Sequence, residues 1–189
     1  MVLIGIIGKI GSGKTTVTNH LVSKYLFKEY AMALPLKNAC KELFRLSDEQ
    51  LNGSLEQKEE PDPRWFGASP RKILQFVGTD LLRNQIDTIM PGLGQDIFVN
   101  SFKLWYNEQR IGTHVVVSDV RFQNETDIIR KLGGYLIKLE RPDIDDTSDH
   151  SSETGVDNIL DYNMIIYNDS SIEDLLKKVD DKLCTNTVV

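Results

Sequence analysis

Gly8-Lys9-Ile10-Gly11-Ser12-Gly13-Lys14-Thr15 stands directly after the apolar run Val2–Ile7 and directly before a segment of helical period, Lys14–Leu26. The octet satisfies G-x-x-x-x-G-K-[ST] in the setting that gives this pattern meaning, between a buried strand and a helix. Its glycines let the backbone turn tightly and aim successive N–H groups at phosphate oxygens, while the helix presents its positive end to the same anion. Lys14 is placed to reach the β- and γ-phosphates of a nucleotide, and the Thr15 hydroxyl to coordinate Mg²⁺. The cofactors expected are therefore ATP and Mg²⁺, held by Gly8, Ile10, Gly11, Ser12, Gly13, Lys14, Thr15 and Thr16. The motif does not say whether phosphate is transferred, hydrolysed or used as a switch.

Around this loop, short β-branched runs alternate with longer segments of helical period, which is the pattern of a parallel sheet covered on both faces. Five strands are expected, at about Val2–Ile7, Glu29–Ala33, Val115–Ser118, Tyr135–Glu140 and Met164–Tyr167. Helices are expected at Lys14–Leu26, Leu36–Phe44, Pro70–Ile86, Asp96–Gln109, Asn124–Leu132 and Ile172–Leu183. Ser69 before Pro70 is an N-cap followed by proline at the first helical position. The fold class expected is α/β, three layers with helices on both faces of a five-stranded parallel sheet around a phosphate-binding loop. Asn52–Ala68, with Pro61, Pro63 and an acidic run, and Arg141–Leu160, rich in Asp, Ser and Thr, read as mobile excursions from it. In a phosphotransferase such excursions can be lids that exclude water; in other proteins they are ordinary polar loops.

The 189 residues fall in the range of one compact domain, with 40% apolar and 26% charged residues, which points to an ordinary globular chain. The net charge is −6 and no Lys/Arg cluster forms a track for duplex phosphates, so polymeric nucleic acid is not expected as a partner. A small anion still fits, because a few positioned donors bind phosphate whatever the global charge. Cys40 and Cys184 lie far apart without metal-ligand spacing, as in a reduced, cytoplasmic protein. Val2–Ile7 is far short of the roughly 20 residues that span a bilayer, so no membrane association is expected.

Weaker constellations surround the loop. Val115-Val116-Val117-Ser118-Asp119 with Arg121 places a carboxylate and a guanidinium at the carboxyl edge of the sheet, where ligands of open α/β folds bind. Asp119 is placed to hold Mg²⁺ through water, and Arg121 to neutralise a transferring phosphoryl group. Arg71, Gln75, Thr79 and Arg83 recur at i, i+4 in one polar stripe that has two arginines and no acid, with Gly78 in mid-helix. An acceptor phosphate and base across this face would account for both features; a solvated face is the plain alternative. Lys37 falls in a first helical turn after Pro35, where an anion could meet it. His150 lies in Asp149-His150-Ser151-Ser152-Glu153, which has too few ligands for a zinc centre and reads as part of a lid. Asn168 follows the last strand, again at the carboxyl edge of the sheet, and is a candidate for base or ribose contact.

Ser69-Pro70-Arg71-Lys72-Ile73-Leu74-Gln75, Gly78-Thr79-Asp80, Asp119-Val120-Arg121-Phe122-Gln123-Asn124-Glu125 and Arg141-Pro142 followed by His150 and Ser152-Glu153 occur in an order that, with the loop, resembles the phage-type deoxynucleoside monophosphate kinases. The likeness covers nearly the whole chain. It implies a single P-loop kinase domain over 1–189, with an acceptor-binding segment at about 35–95 and a lid at about 141–158. It also implies transfer of the ATP γ-phosphoryl group to a dNMP, giving dNDP and ADP. Lys14, Arg71, Arg121 and Asp119 would carry the chemistry, and Lys37, Arg71, Gln75, Gly78, Thr79, Arg83 and His150 the acceptor. Members of the family can be homodimers. The 52–68 segment is shorter than in the best-known phage members, which leaves the choice of base open. Two other readings are a P-loop kinase for another small acceptor, such as dephospho-coenzyme A, and a nucleotide-binding regulatory module.

Overall fold

In the computed structural model, which describes residues 1–142 and 155–185, five parallel strands form one sheet in the order β2-β3-β1-β4-β5. They are β1 (Leu3–Ile7), β2 (Lys28–Tyr30), β3 (Val115–Val120), β4 (Tyr135–Glu140) and β5 (Met164–Tyr167). The β2 strand is shorter than the expected Glu29–Ala33. β1 is buried along its whole length between β3 and β4, which explains why it reads as unbroken apolar residues.

The period of two along the strands divides the core of this unit into two faces. On one face Leu3, Ile7, Val115, Val117 and Leu136 pack with Phe102 and Tyr106 of α6 (Ile97–Asn107) and Ile129 of α7 (Gln123–Lys131). On the other, Ile4, Ile6, Val116, Ile137 and Leu139 pack with Val17 and Leu21 of α1 (Lys14–Tyr25) and Leu175, Val179 and Leu183 of α8 (Ile172–Thr185). Each such side chain contributes about 1.5–3 kcal/mol on burial, so the sheet and its four helices form a rigid base for whatever sits on the carboxyl edge. Val156 and Ile159, both at most 2% exposed, also anchor the turn at Gly155–Asn158 in the first of these cores.

Contacts group the chain into two units, 1–32 with 102–189, and 33–101. The second comprises α2 (Leu34–Phe44), α3 (Asp48–Asn52), α4 (Leu55–Glu59) and α5 (Pro70–Gln75) around Leu36, Cys40, Leu46, Leu51, Ile73 and Phe98. The 52–68 segment carries regular structure where its composition suggests an irregular excursion. Ser54 opens α4 with a capping box closed by Gln57, as Ser47 and Gln50 do for α3 just before the segment. Beyond them the Asp62 carboxylate, 4% exposed, accepts from Arg64 Nη2 at 2.6 Å and Gln50 Nε2 at 2.9 Å, while Trp65 Nε1 donates to Phe44 O at 2.8 Å. The Arg64 hydrogen bonds, then that of Gln50, hold the Asp62 carboxyl well below the usual carboxylate range.

The helix expected at Pro70–Ile86 also differs. It is α-helical only to Gln75 and continues as wider i→i+5 turns over Phe76–Arg83. The four-residue stagger of the polar stripe ends where the turns widen. Gly78 sits in that stretch beneath α2, and a Cβ on it would come within 2.6 Å of Leu36 Cδ2, so close packing is its structural reason. The lid expected at 141–158 falls largely on 143–154, and His150 with it lies outside the described residues.

Candidate functional site

The glycine-rich loop leaves the carboxyl end of β1, and α1 begins at Lys14. Gly11 and Gly13 have φ of 79° and 102°, left-handed values that a residue with a Cβ adopts only with strain. Gly13 is the N-cap residue and makes no side-chain cap, and the first turn of α1 presents the positive end of the helix to the loop. The Lys14 ammonium folds back on the loop, donating to Gly8 O at 2.6 Å and Lys9 O at 2.7 Å. Ser12 N closes the turn on Lys9 O at 3.2 Å. Thr15 is exposed on the first turn of α1.

Asp119 lies in β3 beside the loop's own strand, and its Oδ1 accepts from the Met32 N–H at 2.5 Å, tying β3 to the chain just beyond β2. The next turn is held by Glu125. This carboxylate, 1% exposed, accepts from the backbone N–H of Arg121 at 2.8 Å and of Phe122 at 3.3 Å, satisfying donors at the start of α7. It therefore fixes the backbone from which the Arg121 side chain projects. Thr15 and Asp119 supply a hydroxyl and a carboxylate, hard oxygen donors that suit Mg²⁺, which takes its other ligands from water and nucleotide phosphate. Among the described residues no group of three or more His, Cys, Asp or Glu converges to cage a metal by itself.

On the β4–β5 side a cavity of about 360 Å³ opens beside the loop, lined by Lys9, Ser12, Glu140, Arg141, Asp157 and Tyr167 among others. Lys9 Nζ pairs with Asp157 Oδ2 at 3.0 Å. Buried Val156 and Ile159 flank that carboxylate in sequence and fix its place. Ser12 is 1% exposed, and its Oγ has no hydrogen-bond partner among the described residues. The Asn168 amide, a candidate from the sequence for base or ribose contact, donates to Ser12 O at 3.1 Å.

In the second unit, Arg71 is partly buried, with Nε 3.8 Å from Glu59 Oε1, and Gln75 and Thr79 are partly exposed. Lys37 Nζ donates to Asn52 Oδ1 at 2.9 Å. Arg83 departs from the rest of the stripe. It is 5% exposed, its guanidinium lies 4.9 Å from the Phe98 ring centroid, and Nη1 donates to Gln95 O at 3.1 Å.

Sequence reasoning passed over Glu125, Lys9 and Asp157. The spacing of Phe122 to Glu125, with Glu at the third helical position, is a legible helix-start signal. Nothing in the local sequence pairs Lys9 with a residue almost 150 positions away.

The profile of the deoxynucleotide monophosphate kinase family matches residues 62–179. A protein of Acanthamoeba polyphaga mimivirus, provisionally named a deoxynucleotide monophosphate kinase, is 53% identical over 182 residues, covering 95% of this chain and 94% of that one. The deoxynucleotide monophosphate kinase of Enterobacteria phage T4 is 31% identical over 117 residues, 61% of this chain and 45% of the phage protein. Among solved structures, TT1252 from Thermus thermophilus superposes with a TM-score of 0.53 at 15% identity, covering 97% of both chains. Shikimate kinase from Aquifex aeolicus gives 0.51 at 12% identity, covering 98% of both. At such identities these two show the fold alone, the α/β arrangement of P-loop kinases. Reaching well over half of its residues, the family match and the near full-length viral relative lead to one conclusion: the chain belongs to the deoxynucleotide monophosphate kinase family.

Proposed function

We propose that this chain transfers the γ-phosphoryl group of ATP to the 5′-phosphate of a deoxynucleoside monophosphate, giving dNDP and ADP. The observation that carries the proposal is the loop from Gly8 to Thr15, built with left-handed glycines between a buried strand and an uncapped helix start, in a chain of this family. The loop N–H groups and the α1 terminus receive the triphosphate. Lys14, which donates to the carbonyls of Gly8 and Lys9, would exchange them for phosphate oxygens. Thr15 and Asp119 would hold the Mg²⁺ that accompanies the nucleotide, and the ion would supply neutralisation of phosphate charge.

The acceptor is already an anion, so the chemistry asks for positioning and charge neutralisation rather than a strong general base. Arg121, on a turn fixed by Glu125, serves the transferring group. In the second unit Arg71 serves the acceptor phosphate, and Gln75, Thr79 and Lys37 its remainder. The cavity beside Lys9, Arg141 and Tyr167 has the polar and aromatic lining to take the nucleoside of the donor. Among the described residues no helix is long and apolar enough to cross a membrane, and we place the enzyme in the cytoplasm.

The test is ADP release with Mg·ATP against dTMP, dGMP, dCMP, dAMP, dUMP, the ribonucleotides and dephospho-coenzyme A. Turnover with one or more deoxynucleotides, in preference to the other acceptors, supports the proposal and identifies the base. Silence with every deoxynucleotide while ATP still binds overturns it.

A further inference from the structure

We infer that Asn168 is a positioning residue of the phosphate loop: its side-chain amide holds the Ser12–Gly13 peptide in the orientation that receives phosphate. The inference rests on the phosphate-binding reading of the loop given above. Asn168 Nδ2 donates to Ser12 O at 3.1 Å, a contact that only the NH₂ end of the amide can make, since a carbonyl oxygen accepts and does not donate. The amide is itself anchored, because the Asn168 N–H donates to Glu140 O at 2.7 Å, locking the residue to the end of β4.

A trans peptide directs its C=O and its N–H to opposite sides, and no peptide bond among the described residues is cis. Fixing Ser12 O on Asn168 therefore fixes the Gly13 N–H facing away from β5. That N–H belongs to the residue that caps α1 and precedes the phosphate-binding lysine. The fit is tight. A Cβ on Gly13 would lie 2.9 Å from Asn168 Nδ2 and 3.1 Å from Leu175 Cδ2, so the glycine both adopts the left-handed conformation and leaves room for the amide.

The same contact sets this role apart from reading of the base, which the position after β5 suggests. A base-reading group discriminates among donor nucleotides, whereas a loop-positioning group weakens every ligand that uses the loop, including one with no base. The measurement is calorimetric binding of inorganic tripolyphosphate, Mg·ATP and Mg·GTP to wild type, Asn168→Ala and Asn168→Asp, with thermal melting of each. Asn168→Asp keeps the side-chain shape but presents an acceptor to the Ser12 carbonyl.

The expected result is a loss of about tenfold in Asn168→Ala, and a larger one in Asn168→Asp, by the same factor for all three ligands. The melting temperature and the KM for the acceptor stay near wild type. Unchanged tripolyphosphate binding with weakened ATP would overturn the inference in favour of base contact. Unchanged binding of all three would overturn it outright. A wild type that binds none of the three would sink the phosphate-loop reading itself, so the two failures are distinct.

Discussion

The Gly8–Thr15 loop, between β1 and α1, and the Asn52–Ala68 segment, between α3 and α5, are both polar, yet they are ordered by opposite means. The loop is shaped by backbone: two left-handed glycines, a strand end and an uncapped helix start. The segment is shaped by side chains satisfying one another and their neighbours: the Ser54/Gln57 capping box, the Asp62–Arg64 pair with Gln50, and the Trp65 indole on Phe44 O. In the loop the glycine conformations and the helix end suit an incoming anion. In the segment the side-chain polar groups are engaged with one another. Substitutions in the first region should therefore act on chemistry, and substitutions in the second on stability.

The largest effect expected is at Lys14. Lys14→Ala should lower kcat by at least about 10²-fold through loss of charge stabilisation at the transferring group, with the melting curve close to wild type. Full activity in that variant would end the comparison at once. Next comes Arg71→Ala, for which the KM for dNMP should rise about 10- to 100-fold while that for ATP changes little, as befits the loss of a charged hydrogen bond to the acceptor. Equal loss of both substrates would remove Arg71 from the acceptor role.

Asp62→Ala should behave in the converse way. Arg64 and Gln50 lose their shared partner, so the melting temperature should fall by several degrees while the KM for ATP holds. A lowered kcat in a variant of unchanged stability would show that the segment belongs to the chemistry after all.

The smallest effect is expected at Asp180, which joins α8 to α1 by accepting from His20 Nε2 at 2.7 Å, Tyr25 OH at 2.9 Å and Lys24 Nζ at 2.7 Å. Burial would raise the pKa of this carboxyl, but the hydrogen bonds from Lys24, His20 and Tyr25 outweigh it and bring the value down to about 2 from 3.8. A depressed carboxylate contributes stability that is fully present above its unfolded value and is lost as pH falls through its folded one. Here that is about 2 kcal/mol, present above pH 4 and disappearing toward pH 2. Asp180→Asn should lose that amount at neutral pH, by urea unfolding, and flatten the acid limb of the stability profile. Unaltered acid stability would contradict the assignment.

These contrasts also explain what the sequence disclosed. The loop, the five strands and the carboxyl-edge position of Asp119 and Arg121 were legible because they depend on local pattern: glycine spacing and short β-branched runs that alternate with segments of helical period. The capping box Ser54–Gln57 was equally local, but the acidic, proline-bearing composition of the segment drew the reading toward an irregular excursion. Long-range pairings were invisible. Lys9 with Asp157, Asn168 with Ser12 and Asp62 with Gln50 depend on the tertiary fold. The polar stripe of Arg71 to Arg83 assumed a uniform α-helical period, and the wider turns after Gln75, with Arg83 packed on Phe98, give its last member different surroundings.

The most direct test of the account follows the phosphoryl group itself. ATP labelled in its γ-phosphate is incubated with Mg²⁺, the protein and each dNMP in turn, and the products are separated. The account expects label in a dNDP, absent when Lys14 is replaced by Ala. Label appearing only as inorganic phosphate, or in no dNDP whichever acceptor is supplied, would contradict it.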